Sequence, residues 1–436
     1  MKSYKSIFNY LLAALVAQGS YLILIPIIIS YFGEDAFAEI ELFNVYSNLL
    51  SQILGVNICT AITKYKYDSK NKEDFLAFSS NVWVFGILTS IISLGVVILL
   101  ILLTPNFWKL NIGLTALLPL GVFFLFSNFW LKNYLVTLKE VAKYRNLQIL
   151  TGFLKLSSIL FLIFVAGCFT AFSKIVLELS FLCVLVTLTM LGVKIGFSPS
   201  RFKNDILRAL KFSSPLIIYV IVNNLLNYSD QIFISNYFDK MSLAIYSVSY
   251  RVAMVVVIFY VAISNYFGID YYDNFKDKKY NLKKTYSLIW LLFTFSLIAY
   301  FFSRYYIEYS TKWSGENLRL ALKINQIVIL SYFINFLFLL YSRELFYLGK
   351  TLKISLLVSI CASINIVLNF FFLNGSGVLM AAYTTLISYS ILGLISIFFM
   401  VLSDKENNLP LIIRFLFVSF LLAAFIFLHD YFNSVS

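Results

Sequence analysis

Asn223 to Val255 reads NNLLNYSDQIFISNYFDKMSLAIYSVSYRVAMV. Two apolar runs flank a short break at Phe238-Asp239-Lys240. Asp favours turns and helix starts, so the break predicts a tight turn between two helices that run in opposite directions. In the second run, Ala244 to Tyr250 mixes small and aromatic residues and leads to Arg251.

The pattern recurs 206 residues earlier. Tyr31-Phe32-Gly33-Glu34-Asp35-Ala36-Phe37-Ala38 aligns with Tyr237-Phe238-Asp239-Lys240-Met241-Ser242-Leu243-Ala244, and Gln18 then falls on Asn224. At an offset of 210, Leu138-Lys139-Glu140-Val141-Ala142-Lys143 aligns with Leu348-Gly349-Lys350-Thr351-Leu352-Lys353. Two similar offsets predict a duplicated unit.

Composition places both copies in a bilayer. Of 436 residues, 61% are hydrophobic and 13% charged, against about half and a quarter in soluble domains. The 45 Phe and 30 Tyr suit a long lipid boundary with interfacial anchors. Apolar runs long enough to span fall at 8–31, 37–61, 77–103, 112–137, 147–168, 174–195, 212–235, 241–268, 285–303, 319–341, 353–373 and 378–402. A thirteenth run, 411–428, carries Arg414 and either spans or lies in the interface. Ten-residue alternating segments are missing, which excludes a membrane β-barrel. The first run is too long for a cleaved signal peptide.

The expected architecture is all-α and polytopic, with two six-helix lobes. Six is even, so both lobes enter the membrane in the same sense, as a parallel pseudo-two-fold repeat. The lobes are 1–195 and 212–402, with a linker at 196–211 and a C-terminal extension at 403–436. In the linker, Phe202, Ile206 and Leu210 recur every four residues opposite Arg201, Asn204, Arg208 and Lys211. That pattern predicts a basic amphipathic helix, either lying on the membrane surface or extending the next span.

The formal charge of +13 does not indicate nucleic acid, because the basic residues sit in short connections between apolar runs. With the N-terminus inside, cytoplasmic connections hold 22 Lys and Arg and the opposite side holds 5. That bias predicts a cytoplasmic N-terminus. The outer loops leave no room for a soluble domain. Cys59, Cys168, Cys183 and Cys361 show no CxxC spacing and are expected to be free thiols.

Ionisable and amide groups inside spans are the candidate site, since each must face a cavity or a partner. Arg251 lies about 15 Å deep by helical rise. It is either a cavity cation or an ion-pair partner, with Asp230 the obvious counter-charge. Asn223, Asn227 and Asp230 share a helix face, as do Glu41, Asn44, Asn48 and Gln52, with Asn57 further along. Either face lines a cavity or bonds neighbouring helices. Lys155 and Lys132 are placed toward the cytoplasm, to draw in an anion or to snorkel. Arg319 and Lys323, one turn apart, form a candidate outer anion site. Glu178 is expected at the interface. The sole histidine, His429, excludes a histidine relay or metal cluster, and without a GxxxxGK[ST] loop the chain is not expected to hydrolyse ATP.

The 223–255 stretch resembles the seventh and eighth helices of Wzx-type O-antigen flippases, the polysaccharide exporters of the MATE-like superfamily. In these an Asp, a tight outer turn and a small-aromatic run ending in a basic residue occur in that order, as Asp230, Phe238-Asp239-Lys240, Ala244 to Tyr250 and Arg251 do here. The first half departs from the pattern, with Val45 in the place of Arg251.

The resemblance implies a transporter rather than an enzyme, in a bacterial inner membrane. It implies that an undecaprenyl-diphosphate-linked oligosaccharide is moved outward by alternating access. No cofactor is expected, and an ion gradient, the membrane potential or product removal would drive the step. Arg251 and Lys155 would meet the diphosphate, and Asn223, Asn227, Asn44, Asn48 and Gln52 the sugar hydroxyls. Polysaccharide polymerase and chain-length machinery would be further partners. The rival readings are a cation-coupled multidrug exporter of the same superfamily and a membrane-embedded polysaccharide polymerase. A carboxylate-lined cavity would favour the first and a large outer loop the second.

Overall fold

A computed structural model describes residues 2–53, 56–69, 71–103, 109–138, 140–191, 196–257, 259, 278–348, 350–403 and 405–435. Among them every regular element is a helix, as a chain in hydrocarbon requires if it is to satisfy its own backbone hydrogen bonds. The α-helices are α1 (Lys2–Ile53), α2 (Thr60–Asp68), α3 (Lys72–Leu103), α4 (Ile112–Thr137), α5 (Val141–Phe161), α6 (Ala171–Leu191) and α7 (Pro199–Tyr237). They continue with α8 (Lys240–Ala253), α9 (Lys278–Ser310), α10 (Gly315–Tyr347), α11 (Thr351–Ser376), α12 (Leu379–Ser403) and α13 (Lys405–Val435). Ten helical stretches among the described residues are long and apolar enough to cross a membrane. The chain is a multi-pass membrane protein. The part of the eighth apolar run at 260–268 lies outside the described residues.

The expected turns are present. In α1 the helix breaks at Gly33, with φ 82° and ψ 168°, a conformation that only glycine adopts without strain. The break separates the first two apolar runs. In the second copy α7 ends at Tyr237, and Asp239 caps α8 by accepting a hydrogen bond from the Ser242 amide at 2.9 Å. The second aligned pair is closer still. Glu140 has φ −88° and ψ 49° and Lys350 has φ −84° and ψ 48°. Glu140 N–H donates to the Leu135 carbonyl at 2.9 Å, and Lys350 N–H to that of Leu345 at 2.8 Å. Likewise, Leu138 N–H donates to the Tyr134 carbonyl at 3.1 Å, and Leu348 N–H to that of Glu344 at 3.0 Å. The two aligned segments share one turn geometry.

Asp239 carries a first prediction. The Ser242 hydroxyl and amide hold its carboxyl below the usual range. A depressed folded pKa means that the cap stabilises above the unfolded pKa and is lost as pH falls through the folded one. Asp239→Ala is therefore expected to cost about 1 kcal/mol at neutral pH. Its melting temperature should converge on the parent's in acid.

The chain packs as two units, Met1–Ala244 and Ile245–Ser436. In the first, Arg201 to Lys211 is helical, as its spacing predicts, and α7 runs unbroken from it through the next span. Side chains clamp this segment to α3, with Asn81 and Asp205 buried. Asn81 Nδ2 donates to Asp205 Oδ2 at 2.8 Å and to the Ser198 carbonyl at 3.2 Å, and Arg201 pairs with Asp74 at 2.6 Å. Between α1 and α4, Gly121 permits a close approach, since a Cβ there would lie 2.6 Å from Ser47 Oγ.

In the second unit α13 packs against α9, α10 and α12. The thirteenth apolar run therefore lies in a helix with a membrane-length apolar stretch, Leu409–Asp430. Tyr300 and His429 hydrogen-bond at 2.8 Å and tie it to α9. All four cysteines are free, with Cys59 and Cys361 buried.

Candidate functional site

In the first unit the structure brings Lys155 of α5 together with Lys174 and Glu178 of α6. Lys155 Nζ lies 3.4 Å from Glu178 Oε1, and Lys174 pairs with the other carboxylate oxygen. Lys174 and Glu178 are four residues apart on α6, so their side chains meet on one face. Two ammonium groups share one carboxylate, so the cluster carries one excess positive charge. The two lysines are not equivalent. The Lys174 side chain is 3% exposed and that of Lys155 27%.

These three residues line a cavity of about 60 Å³ with Asn44, Ser47 and Asn48 of α1 and Gly121 of α4. Ser47 is buried, and its hydroxyl has no hydrogen-bond partner among the described residues. A buried hydroxyl normally has a partner, so one facing a cavity is a free donor and acceptor. The chamber thus holds a cation, two amides and a hydroxyl within one unit.

Glu178 is held inside the unit between two lysines. Lys155 is not near the basic end of its helix. Helix α5 starts at Val141, so helical rise places Lys155 about 20 Å along it. Sequence reading misses Lys174, which counts there as a loop cation, although its spacing from Glu178 is an available signal.

The other candidates are dispersed. Glu41 is buried and accepts a hydrogen bond from the Tyr21 hydroxyl. Asn48 also donates to the Asn44 carbonyl at 2.7 Å, one turn back along α1. Gln52 is half-buried, outside the cavity lining. The Asn57 side chain lies outside the described residues. On α7, Asn223 and Asn227 are half-buried and Asp230 is buried. Lys132 is exposed on α4, and its ammonium lies 5.6 Å from the centre of the Phe129 ring.

In the second unit Arg251 is half-buried on α8, with Nη1 4.0 Å from Met254 Sδ. Beside it in sequence, Tyr250 belongs to a buried aromatic chain. Ring centroids lie 5.8 Å apart for Tyr246 and Tyr250, 5.8 Å for Tyr250 and Tyr332, and 6.3 Å for Tyr332 and Tyr389. Arg319 and Lys323 do come together, in a pocket of about 270 Å³ with Arg304, Glu308 and Asp430. Arg304 pairs with Glu308 at 3.2 Å, and Gln326 donates to Asp430 at 3.3 Å. The pocket is mixed in charge, and α13 supplies part of it.

Residues 42–306 match the family described as polysaccharide biosynthesis protein. No curated protein sequence matches the chain. Several solved structures share its fold. An inward-facing multidrug resistance MATE family transporter of the MOP superfamily superposes with a TM-score of 0.67 at 13% identity, over 91% of this chain and 99% of that one. A MATE structure in a bent conformation gives 0.59 at 14% identity, over 93% and 96%. An outward-facing MATE family transporter gives 0.52 at 15%, again over 93% and 96%. At these identities the likeness establishes the fold.

Proposed function

The chain belongs to the polysaccharide biosynthesis protein family, and from that premise we propose that it is a flippase for a lipid-linked oligosaccharide. The substrate is an undecaprenyl-diphosphate-linked repeat unit of O-antigen or a related surface polysaccharide. The protein moves it from the cytoplasmic to the outer leaflet of a bacterial inner membrane by alternating access. The observation that carries the reading is the excess positive charge of the Lys155–Glu178–Lys174 cluster, facing a cavity with amides and a free hydroxyl. A diphosphate seeks desolvated cations and sugar hydroxyls seek amides and hydroxyls. An organic cation would instead meet repulsion there. Arg251 provides a second cation within a span.

The charge bias supports a cytoplasmic N-terminus. Single cysteines at Ser69 and Ser314, in a cysteine-free background, are expected to react with a membrane-impermeant thiol reagent in intact cells only at 314. Labelling at 69 alone would invert the topology. Deletion of the gene tests the function. Lipid-linked repeat units are expected to accumulate on the inner leaflet while surface polymer disappears. Single repeats exported but not polymerised would identify a polymerase instead.

A further inference from the structure

A second polar chamber lies in the first unit, apart from the lysine–glutamate cluster. It has a volume of about 530 Å³ and is lined by Ala61, Lys64, Tyr65, Phe78, Arg208, Ala209, Lys211 and Phe212. Three of its lining residues are cations from α2 and α7, and no carboxylate lines it among the described residues.

The cations are distinguished by what their neighbours are doing. Two carboxylates and one lysine nearby already have structural partners. Asp74 is held by Arg201 at 2.6 Å, and Asp205 accepts from Asn81 at 2.8 Å. Lys66, two residues from Lys64, donates to the Thr137 carbonyl at the end of α4. Lys64, Arg208 and Lys211 pair with no carboxylate among the described residues. Lys64 instead sits 4.7 Å from the centre of the Phe212 ring.

Tyr65 and Phe78 stack with centroids 3.8 Å apart, and Ala61 and Ala209 are buried beneath the chamber. Phosphate groups bind where several charged donors converge, and a volume of this size suits a small-molecule headgroup. Leu207, 54% exposed, is adjacent to Arg208 and offers apolar surface beside the charged residues. The same segment has the basic amphipathic pattern of helices that lie against membrane headgroups.

We infer that this chamber is a docking site for the diphosphate headgroup of a prenyl lipid, held by Lys64, Arg208 and Lys211. The inference rests on the flippase reading and deepens it: the chamber captures the substrate on the basic side, before it reaches the Lys155 cavity.

The test uses the purified full chain, as parent and as the triple variant Lys64→Gln/Arg208→Gln/Lys211→Gln. Arg208 and Lys211 are exposed and all three lack carboxylate partners among the described residues, so the triple variant should melt with the parent. Equilibrium binding is measured for geranylgeranyl diphosphate, inorganic pyrophosphate and phosphatidylglycerol. Geranylgeranyl diphosphate is expected to bind most tightly and to weaken by about tenfold or more in the variant, as loss of several charge-assisted contacts implies. Unchanged affinity in the variant overturns the site. Pyrophosphate binding as tightly as the prenyl diphosphate shows that a free anion is the ligand and overturns the lipid assignment. Equal binding of phosphatidylglycerol does so in favour of ordinary membrane lipid. If the variant has lost its melting transition, the single Lys211→Gln, on an exposed side chain, gives the same comparison, and an unchanged affinity there overturns the site. A chain that binds the prenyl diphosphate here but moves no lipid-linked sugar retains the site and loses the flippase reading.

Discussion

Lys155→Gln is expected to leave the protein folded and abundant in the membrane while reducing surface polymer to about a tenth of the parental level or less. The expectation follows from the asymmetry of the cluster. Lys174 remains as the close partner of Glu178, so no buried charge is stranded. What disappears is the excess positive charge, on the lysine whose side chain is more exposed. Lys155→Arg should retain part of the activity, because charge survives although the shape of the donor changes. Membrane abundance and surface polymer measured together decide the point. Equal losses of both would make Lys155 a structural ion-pair partner and remove it from the transport path.

Glu178→Gln is expected to act on folding instead. It leaves two ammonium groups against a neutral amide, with Lys174 almost completely enclosed. Removing one partner of a buried pair costs about 3–5 kcal/mol, a large share of the stability of most domains. The variant should therefore be scarce in the membrane and melt well below the parent in detergent. Replacing the inner pair together, as Lys174→Met with Glu178→Leu, removes both buried charges and should recover most of the loss. A Glu178→Gln protein that melts with the parent would mean that the cluster is hydrated and its charges are not buried.

The two expected effects separate because the residues differ in burial, and burial is where sequence reading reaches its limit. Gly33 and Asp239 are legible as turn residues, since a left-handed backbone and a helix cap each demand a particular chemistry. The turns at Glu140 and Lys350 are legible as an aligned pair, and their dihedral angles match although the two residues differ. The beginning of α7 is not legible. A surface amphipathic helix and a spanning helix share one period, and the anchors that start α7, Asn81 and Asp74, lie more than a hundred residues away.

The candidate site is legible in halves. Asn44, Asn48 and Lys155 stand out for being polar inside apolar runs, and the structure places them around one cavity. Lys174 and Glu178 are equally polar, but their position near a helix end allows an interfacial reading. Only the approach of α5 to α6 shows that they share a charge with Lys155. Ser47 carries no signal at all. Its hydroxyl matters because Gly121 lets α4 close over it.

The most direct test of the account is transport by the purified chain in proteoliposomes. An undecaprenyl-diphosphate-linked oligosaccharide is placed in both leaflets, and its movement is read by the access of an added glycan-modifying enzyme. The parent protein is expected to make the inner-leaflet pool accessible, and the Lys155→Gln protein is not. A parent protein that leaves that pool protected, yet expels an organic cation such as ethidium, would contradict the account and make the chain a multidrug exporter.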